Sequence, residues 1–167
     1  MGEGRGGGEG SRSQGRCHRD VEVSLAGIQG FERARVGDIL AFDRSVTGTD
    51  RANFLSRLAG ESPEDVRIFE SAGAIDGYLM ARPGAIATQV GPCIARPDAG
   101  SILLADALAR HRGRPVIVDV PVENAAAREV VGAAGLVPRR ELLRMVRGDR
   151  VDDDPAMIWA SSGPEMG

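Results

Sequence analysis

Apolar side chains recur along this chain with two different periods, and the change of period predicts where helices give way to strands. Within residues 35–60 they recur at helical spacing in two groups, which predicts two short amphipathic helices interrupted at the sequence TGTD, residues 47–50. Thr49 is the predicted cap of the second helix, and Asp50 is placed in its first turn, where the helix dipole favours an anion.

Strand-like segments follow. The sequences DVRIFES (65–71) and IDGYLMAR (75–82) are joined by AGA, which predicts a hairpin, and AIATQVGPCIA (85–95) continues as a third strand. Pro92 has no N–H for a ladder hydrogen bond, so we expect a bulge or a splay in that strand. The sequence VEVSL (21–25) is a further candidate strand near the N-terminus.

The second half of the chain alternates between the two periods. An apolar stripe from Ala99 to Arg112 predicts a helix, and RPVIVDVP (114–121) predicts a strand buried on both faces. Asn124 is a suitable cap for the next helix, and Gly135 a suitable end. Two final strands are predicted in ELLRMVRG and AMIWASSG. This order predicts an α/β (α+β) fold with a mixed, mostly antiparallel central sheet and helices on both faces.

Composition narrows the class of protein. With 167 residues the chain fits one domain. Residues 1–20 are rich in glycine and charge, which predicts a disordered arm ahead of a domain at residues 21–167. Only Cys17 and Cys93 are present, too few for a disulfide framework, which favours a cytoplasmic location. No apolar run reaches the ~18 residues of a membrane span.

Charge and residue types exclude several kinds of chemistry. The net charge of −3 does not support nucleic-acid binding through overall basicity. All 21 basic residues are arginines, which excludes a lysine nucleophile or a Schiff base. Two distant histidines and two distant cysteines do not form a ligand set, so we expect no metal site.

The order of strands, turns and helices predicted in the second half of the chain is similar to that of a known family. A strand (ATQVGPCIA), a turn (RPDAGS), a helix (ILLADALARH) and a strand (VIVDV) precede a helix with Asn124, Ala127 and a terminal Gly135-Leu136. This resembles the Gcn5-related N-acetyltransferase (GNAT) superfamily, whose final helix carries an Asn, a following Ala and a terminal Gly-Phe. The sequences FDRSVTGTDR, GYLMARPG, VDVPVEN and GPEMG are similar to the divergent domain that forms the C-terminal half of tandem acetyltransferases. The matching pieces run from about Val36 onward.

The resemblance implies an acyl-CoA N-acyltransferase-like fold with acetyl-CoA as co-substrate. In this superfamily two neighbouring strands splay apart, the pantetheine arm lies in the gap, and the diphosphate rests on the N-terminus of the following helix. The resemblance implies that the sheet opens here between the segment ending in Cys93, Ile94 and Ala95 and the one ending in Asp119 and Val120, which leaves main-chain groups free. The turn RPDAGS is shorter than the usual glycine-rich loop, and Asp98 adds a negative charge there. The cofactor-binding residues implied by the resemblance are Cys93, Ile94, Ala95, Arg96, Gly100, Ser101, Asn124 and Ala127.

The resemblance also implies acetyl transfer to a primary amine by direct attack in a ternary complex. Asp119, near the end of the buried strand, is the candidate base, because a carboxylate withdrawn from water binds a proton more strongly. A structural role, in which it accepts hydrogen bonds from backbone amides, is equally open. Tyr78 is the candidate acid, since Val131 stands where many relatives carry a tyrosine. A role as a core aromatic is the alternative for Tyr78.

Two Asp-Arg dipeptides, Asp43-Arg44 and Asp50-Arg51, flank the sequence SVTGT. Locally paired helix ends would explain them without function. In the family fold, however, the connection between the first two helices covers the acceptor site, so the resemblance implies that Asp50 or Arg51 faces a small-molecule or peptide amine. The competing hypothesis is a non-catalytic CoA-binding or structural domain that packs against a partner domain. A homodimer would be one way to cover the face used for that packing.

Overall fold

The computed structural model describes residues 27–32, 35–143 and 153–163. The predicted arm at residues 1–20 and the candidate strand at residues 21–25 lie outside this part of the chain.

The described residues form one sheet and four α-helices in mixed order. In chain order they are β1 (Ile28–Gly30), α1 (Val36–Thr47), α2 (Ala52–Glu61), β2 (Arg67–Ser71), β3 (Ala74–Pro83), β4 (Thr88–Ala95), α3 (Pro97–Arg110), β5 (Val116–Val118), α4 (Ala125–Ala133) and β6 (Ile158–Ala160). Short 3₁₀ turns at Pro63–Asp65 and Pro155–Met157 precede β2 and β6.

The sheet follows the order β1-β2-β3-β4-β5, and β6 pairs with β4 off this path. All neighbours are antiparallel except β4 and β5, which are parallel. The predicted mixed, mostly antiparallel sheet is therefore confirmed. The bulge expected at Pro92 is also present, because the register between β3 and β4 shifts between Leu79 and Ala81.

Each face of the sheet carries its own apolar core. On one face, α1 and α2 pack Ile39, Leu55 and Leu58 against Tyr78 and Met80 of β3. On the other face, α3 and α4 pack against the alternate residues of β3 and β4, and Trp159 of β6 belongs to this second core. Successive side chains of a strand point to opposite faces, so β3 supplies both cores. This arrangement confirms helices on both faces of the sheet.

The start of α2 differs from the sequence-based prediction. Thr49 does not cap this helix, because its hydroxyl pairs with that of Thr47 at 3.1 Å. The N-cap position is Arg51, whose side chain makes no capping hydrogen bond, and Oδ1 of Asp50, one residue earlier, accepts the backbone N–H of Ala52 at 3.0 Å. An aspartate readily reaches the amide two residues ahead of it, which places Asp50 before the helix rather than in its first turn.

The residues predicted to begin and end α4 are confirmed, whereas the predicted final strands are confirmed only in part. Oδ1 of Asn124 accepts the backbone N–H of Ala127 at 3.0 Å, and Gly135 adopts a left-handed φ of 86°. Residues 141–143 are not in a strand, and the rest of the strand predicted at residues 141–148 lies outside the described residues. The last predicted strand is present as β6, in a position that local periodicity does not predict.

Candidate functional site

The two parallel strands β4 and β5 separate after a short stretch of pairing. Their register ends at the pair Val90 and Val118. Beyond it, β4 continues through residues 91–95 and the chain after β5 through residues 119–121, and the space between these two segments is called the wedge below. The family resemblance implies an opening here with free main-chain groups, and the opening is present.

The expectation that the wedge leaves main-chain groups free is wrong, because β6 lies in it. Cys93 pairs with Ala160 and Ile94 with Ile158, in antiparallel register. On the other side, the backbone N–H of Ser161 donates to the carbonyl of Asp119 at 2.8 Å. The C-terminal strand thus bonds to both walls of the wedge.

Glycines permit the close approach of this strand. A Cβ at Gly100, in the first turns of α3, would lie 2.0 Å from the indole of Trp159. A Cβ at Gly91, whose φ is 137°, would lie 2.0 Å from the carbonyl oxygen of Ser161. Trp159 is 1% exposed. The indole ring therefore covers the N-terminal part of α3, where a Cβ would exclude it.

Asn124 joins the α4 cap to the same strand. While its Oδ1 caps the helix, its Nδ2 donates to the carbonyls of Ala156 at 3.3 Å and Ile158 at 3.0 Å. All hydrogen-bonding groups of this buried amide side chain are used between the helix and the strand. Ala127, one turn into α4, is fully buried in the core that contains Trp159.

The remaining residues expected around the diphosphate have other partners. The Nε of Arg96 donates to Asp76 at 3.0 Å, and its side chain is largely exposed. The hydroxyl of Ser101 donates to the carbonyl of Asp98 at 2.9 Å. Ala95 pairs with Gly77 of β3.

A buried polar network lies on the α1–α2 face of the sheet, next to the wedge. Arg51 donates two hydrogen bonds to the carboxylate of Asp43, one from Nε at 3.1 Å and a shorter one from a terminal nitrogen. The hydroxyl of Tyr78 donates to Asp43 at 2.5 Å, and Arg51 donates to the Ser162 hydroxyl at 3.3 Å. The guanidinium of Arg82 donates to the Ser162 carbonyl at 3.4 Å. The network thus ties α1, α2 and β3 to the segment that follows β6.

Burial and the charges of this network fix its protonation. Burial, and next the charge of Asp43, raise the pKa of Tyr78 well above its usual range, so the phenol stays a donor. Burial acts to lower the pKa of Arg51, but the hydrogen bond with Asp43 opposes it and the pKa is raised overall. Because Tyr78 is fully buried and its hydroxyl donates to Asp43, it is a core aromatic in this arrangement. Cys93 is a small side chain of the core, and its burial raises the pKa of the thiol.

Asp119 lies at the apex of the wedge, with its side chain on the α1–α2 face. Val118 and Val120 pack in the α3–α4 core, so the residue between them points the other way. The carboxylate accepts from Nε2 of Gln89 at 3.2 Å, and a guanidinium nitrogen of Arg140 lies 4.0 Å away. The Asp119 side chain is 15% exposed, so water reaches it.

Asp50 and Arg51, the predicted acceptor-binding residues, differ in their surroundings. Asp50 is exposed and makes a long contact of 3.5 Å with Arg44. The guanidinium of Arg51, in contrast, is hydrogen-bonded to the carboxylate of Asp43. Both residues border a shallow cleft of about 320 Å³ between α1 and α2, lined by Leu40, Ala41, Asp43, Arg44, Asp50, Arg51 and Ala52.

Sequence reasoning interpreted Asp43 as part of a solvated helix end and assigned no role to Trp159 or Ser162. A signal for Asp43 was present, because it follows Ile39 by four residues and precedes Val46 by three, on the buried side of α1. No comparable periodic signal exists for Trp159 or Ser162, since both lie in or after a strand of three residues.

A family model for the acetyltransferase (GNAT) domain matches residues 39–160 of the sequence. The chain belongs to this GNAT family. The family match spans the wedge, α3, α4 and β6, and it supports acyltransferase activity. None of the curated proteins compared with the sequence matches it.

Solved structures show the same fold. Ard1 from Thermoplasma volcanium is 18% identical with a TM-score of 0.56, over 68% of this chain and 83% of that one. A GNAT-family acetyltransferase from Bacillus cereus is 19% identical with a TM-score of 0.57, over 72% of this chain and 89% of that one. At these identities the likeness concerns the fold.

Acyl-CoA is the group that GNAT membership implies, and the wedge does not fit it while β6 lies there. The main chain of β4 is paired, the indole of Trp159 covers the start of α3, and the amide of Asn124 is used by the strand. The N-terminus of α3 has no side-chain cap, which suits an anion, but Asp98 places a negative charge in its first turn.

Neither a membrane-spanning helix nor a metal-binding cluster occurs in the part of the chain that the structure describes. No helix there is long and apolar enough to cross a membrane. Within the same residues, no cluster of three His, Cys, Asp or Glu side chains is arranged to hold a metal ion.

Proposed function

We propose that this chain is an N-acetyltransferase that uses acetyl-CoA and transfers the acetyl group to a primary amine of a small molecule or peptide. Family membership supports the acyl-transfer part of this proposal. The single observation that carries the rest is the wedge itself: two parallel strands separate after Val90 and Val118, and a carboxylate, Asp119, stands at the point of separation. The cytoplasmic location stays a prediction from cysteine content.

Asp119 is the proposed base. An amine that attacks a thioester must lose a proton, and a positioned carboxylate can accept it. Gln89 holds the carboxylate by one hydrogen bond and leaves the other oxygen facing Arg140 at 4.0 Å. This second oxygen has no close hydrogen-bond partner among the described residues. It lies at the apex of the wedge on the α1–α2 face, where it can accept a proton from an amine that approaches from that face.

Asp50 is the proposed acceptor-binding residue. Its side chain is 61% exposed at the edge of the α1–α2 cleft, whereas the charge of Arg51 is already matched by Asp43. A carboxylate at this position favours a cationic acceptor, which agrees with a primary amine. Arg51 is assigned a positioning role through its contacts with Asp43 and Ser162.

Replacing Asp119 with asparagine is expected to lower kcat by about 100-fold or more, because the amide cannot accept the proton while it keeps the shape of the carboxylate. Steady-state kinetics with acetyl-CoA and a panel of primary amines measures this. The matched control is Asp38→Asn, an exposed carboxylate in the first turn of α1, outside the wedge and the cleft. Equal kcat values for Asp119→Asn and the parent protein would remove Asp119 from the proposal, and no turnover of any amine by the parent protein would contradict the activity itself.

A second candidate function is a non-catalytic acetyltransferase-like domain. The observation that favours it is the filling of the wedge by β6, together with the apolar Val131 at the position where many relatives have a tyrosine. This candidate predicts no acetyl transfer to any amine: a CoA-binding domain would bind acetyl-CoA without turnover, and a purely structural domain would not bind it. It also predicts association with a partner domain or a second copy, which size-exclusion chromatography with light scattering detects.

A further inference from the structure

We propose that β6 and the residue after it form an internal plug that competes with acyl-CoA for the wedge, so that the described arrangement is the closed form of the domain. The plug is defined as residues 158–161. This inference rests on the proposed function, because competition requires that the wedge be the acyl-CoA site. It concerns the regulation of that site.

The first argument is that plug and cofactor need the same hydrogen-bonding groups. In the family fold the pantetheine arm pairs with the open edge of a strand at the splay. Here that edge, Cys93 and Ile94, pairs with Ala160 and Ile158. A backbone N–H or C=O that is already paired in a ladder is not free for a second ligand, so the two occupants exclude one another.

The second argument is steric. The indole of Trp159 lies so close to Gly100 that even a methyl group there would come within 2.0 Å of the ring. A ligand approaching the N-terminal backbone of α3 would have to occupy this space. The indole therefore excludes a diphosphate from the place where the unpaired N–H groups and the helix dipole favour one.

The third argument is that the plug is held from outside the wedge at both ends. Before it and within it, the carbonyls of Ala156 and Ile158 accept from Asn124. After it, Ser162 contacts Arg51 and Arg82 on the face that borders the proposed acceptor side. These contacts are polar and few, so small changes at the tethers shift the balance between closed and open forms.

Asn124 offers a selective way to loosen the plug. In Asn124→Ser, the hydroxyl oxygen can still cap α4 by accepting the N–H of Ala127, but the amide donor to the carbonyls of Ala156 and Ile158 is lost and no charge is added. Asn124→Ser should therefore favour the open form without removing the helix cap. Trp159→Leu is a second variant, because it removes the ring that covers Gly100 and retains an apolar side chain.

The test measures acetyl-CoA binding by calorimetry and amide exchange of the segment 156–163 in the full chain. We expect both variants to bind acetyl-CoA about tenfold more tightly than the parent protein, since the cost of opening is smaller. We also expect acetyl-CoA to accelerate exchange at Ser161, whose N–H bonds to Asp119 in the closed form. Ile39→Val, a mild truncation in the opposite core, is the control for general loosening and should bind like the parent protein.

Each result separates the plug from the proposed function. If acetyl-CoA binds while exchange at residues 156–163 stays slow, or if both variants bind no more tightly than the parent protein, the plug is overturned and the proposed function stands. If none of the proteins binds acetyl-CoA although exchange at residues 156–163 is slow in the parent protein and fast in the variants, the proposed function fails and the competition fails with it. Rapid exchange at this segment in the free parent protein would show that β6 does not occupy the wedge.

Discussion

Replacing Trp159 with alanine is expected to lower the free energy of unfolding by about 3 to 5 kcal/mol, the range for removing a large buried aromatic side chain. The side chain is 1% exposed and contacts Gly100 directly. The neighbouring glycine cannot fill the space that the ring leaves, so a cavity adds to the lost burial. The loss should therefore be among the largest of any single substitution in the second core.

Urea denaturation followed by circular dichroism measures this effect. The matched control is Leu143→Ala, an apolar residue that is 86% exposed, for which we expect a change within about 0.5 kcal/mol. Trp159→Phe should recover part of the loss, because a ring still fills part of the site. A loss below about 1 kcal/mol for Trp159→Ala would mean that the indole is not packed against α3 in solution.

Replacing Asp43 with alanine is expected to cost about 3 to 5 kcal/mol, because it leaves a charged partner without its counter-charge in a protein interior. Asp43 is 1% exposed and accepts hydrogen bonds from Arg51 and from Tyr78. After the substitution the Arg51 guanidinium keeps its charge, and the phenol loses its acceptor. Both penalties act on the folded state alone.

The control for Asp43 lies in the same helix. Asp38 forms an ion pair with Arg35 at the surface, with 58% of its side chain exposed, and Asp38→Ala should cost less than about 1 kcal/mol. Tyr78→Phe tests the second contact, and we expect a smaller loss of about 1 to 3 kcal/mol than for Asp43→Ala. Equal stability of Asp43→Ala and Asp38→Ala would show that the network contributes nothing beyond a surface pair.

The sequence predicts well those helices and strands whose apolar residues recur at a regular spacing and whose ends carry clear capping residues. Helix α4 illustrates this, because Asn124 caps it as expected and Gly135 ends it with a left-handed φ. The error at α2 is small, because threonine and aspartate are neighbours and both are good caps. Only the geometry shows that the helix begins after Arg51 and that Asp50, not Thr49, bonds to its first amide.

The position of β6 in the sheet could not be predicted from local sequence patterns. A strand of three residues carries no register information, and the pairing of Ile158 and Ala160 with β4 is decided by distant features. Those features are the glycines at positions 91 and 100, which leave room for a carbonyl and for an indole. In the sequence the same glycines are equally compatible with space for a cofactor, which is the role that the family resemblance implied for Gly100.

The central claim, that β6 fills the wedge, is tested most directly by the fluorescence of Trp159, the single tryptophan of the chain. The parent protein should emit at short wavelength and resist quenching by acrylamide. In Gly100→Ala, alanine suits the helix better than glycine but its Cβ would overlap the indole, so emission should shift to longer wavelength and quenching should rise toward that of free tryptophan. Ready quenching in the parent protein, or no change in Gly100→Ala, would contradict the claim.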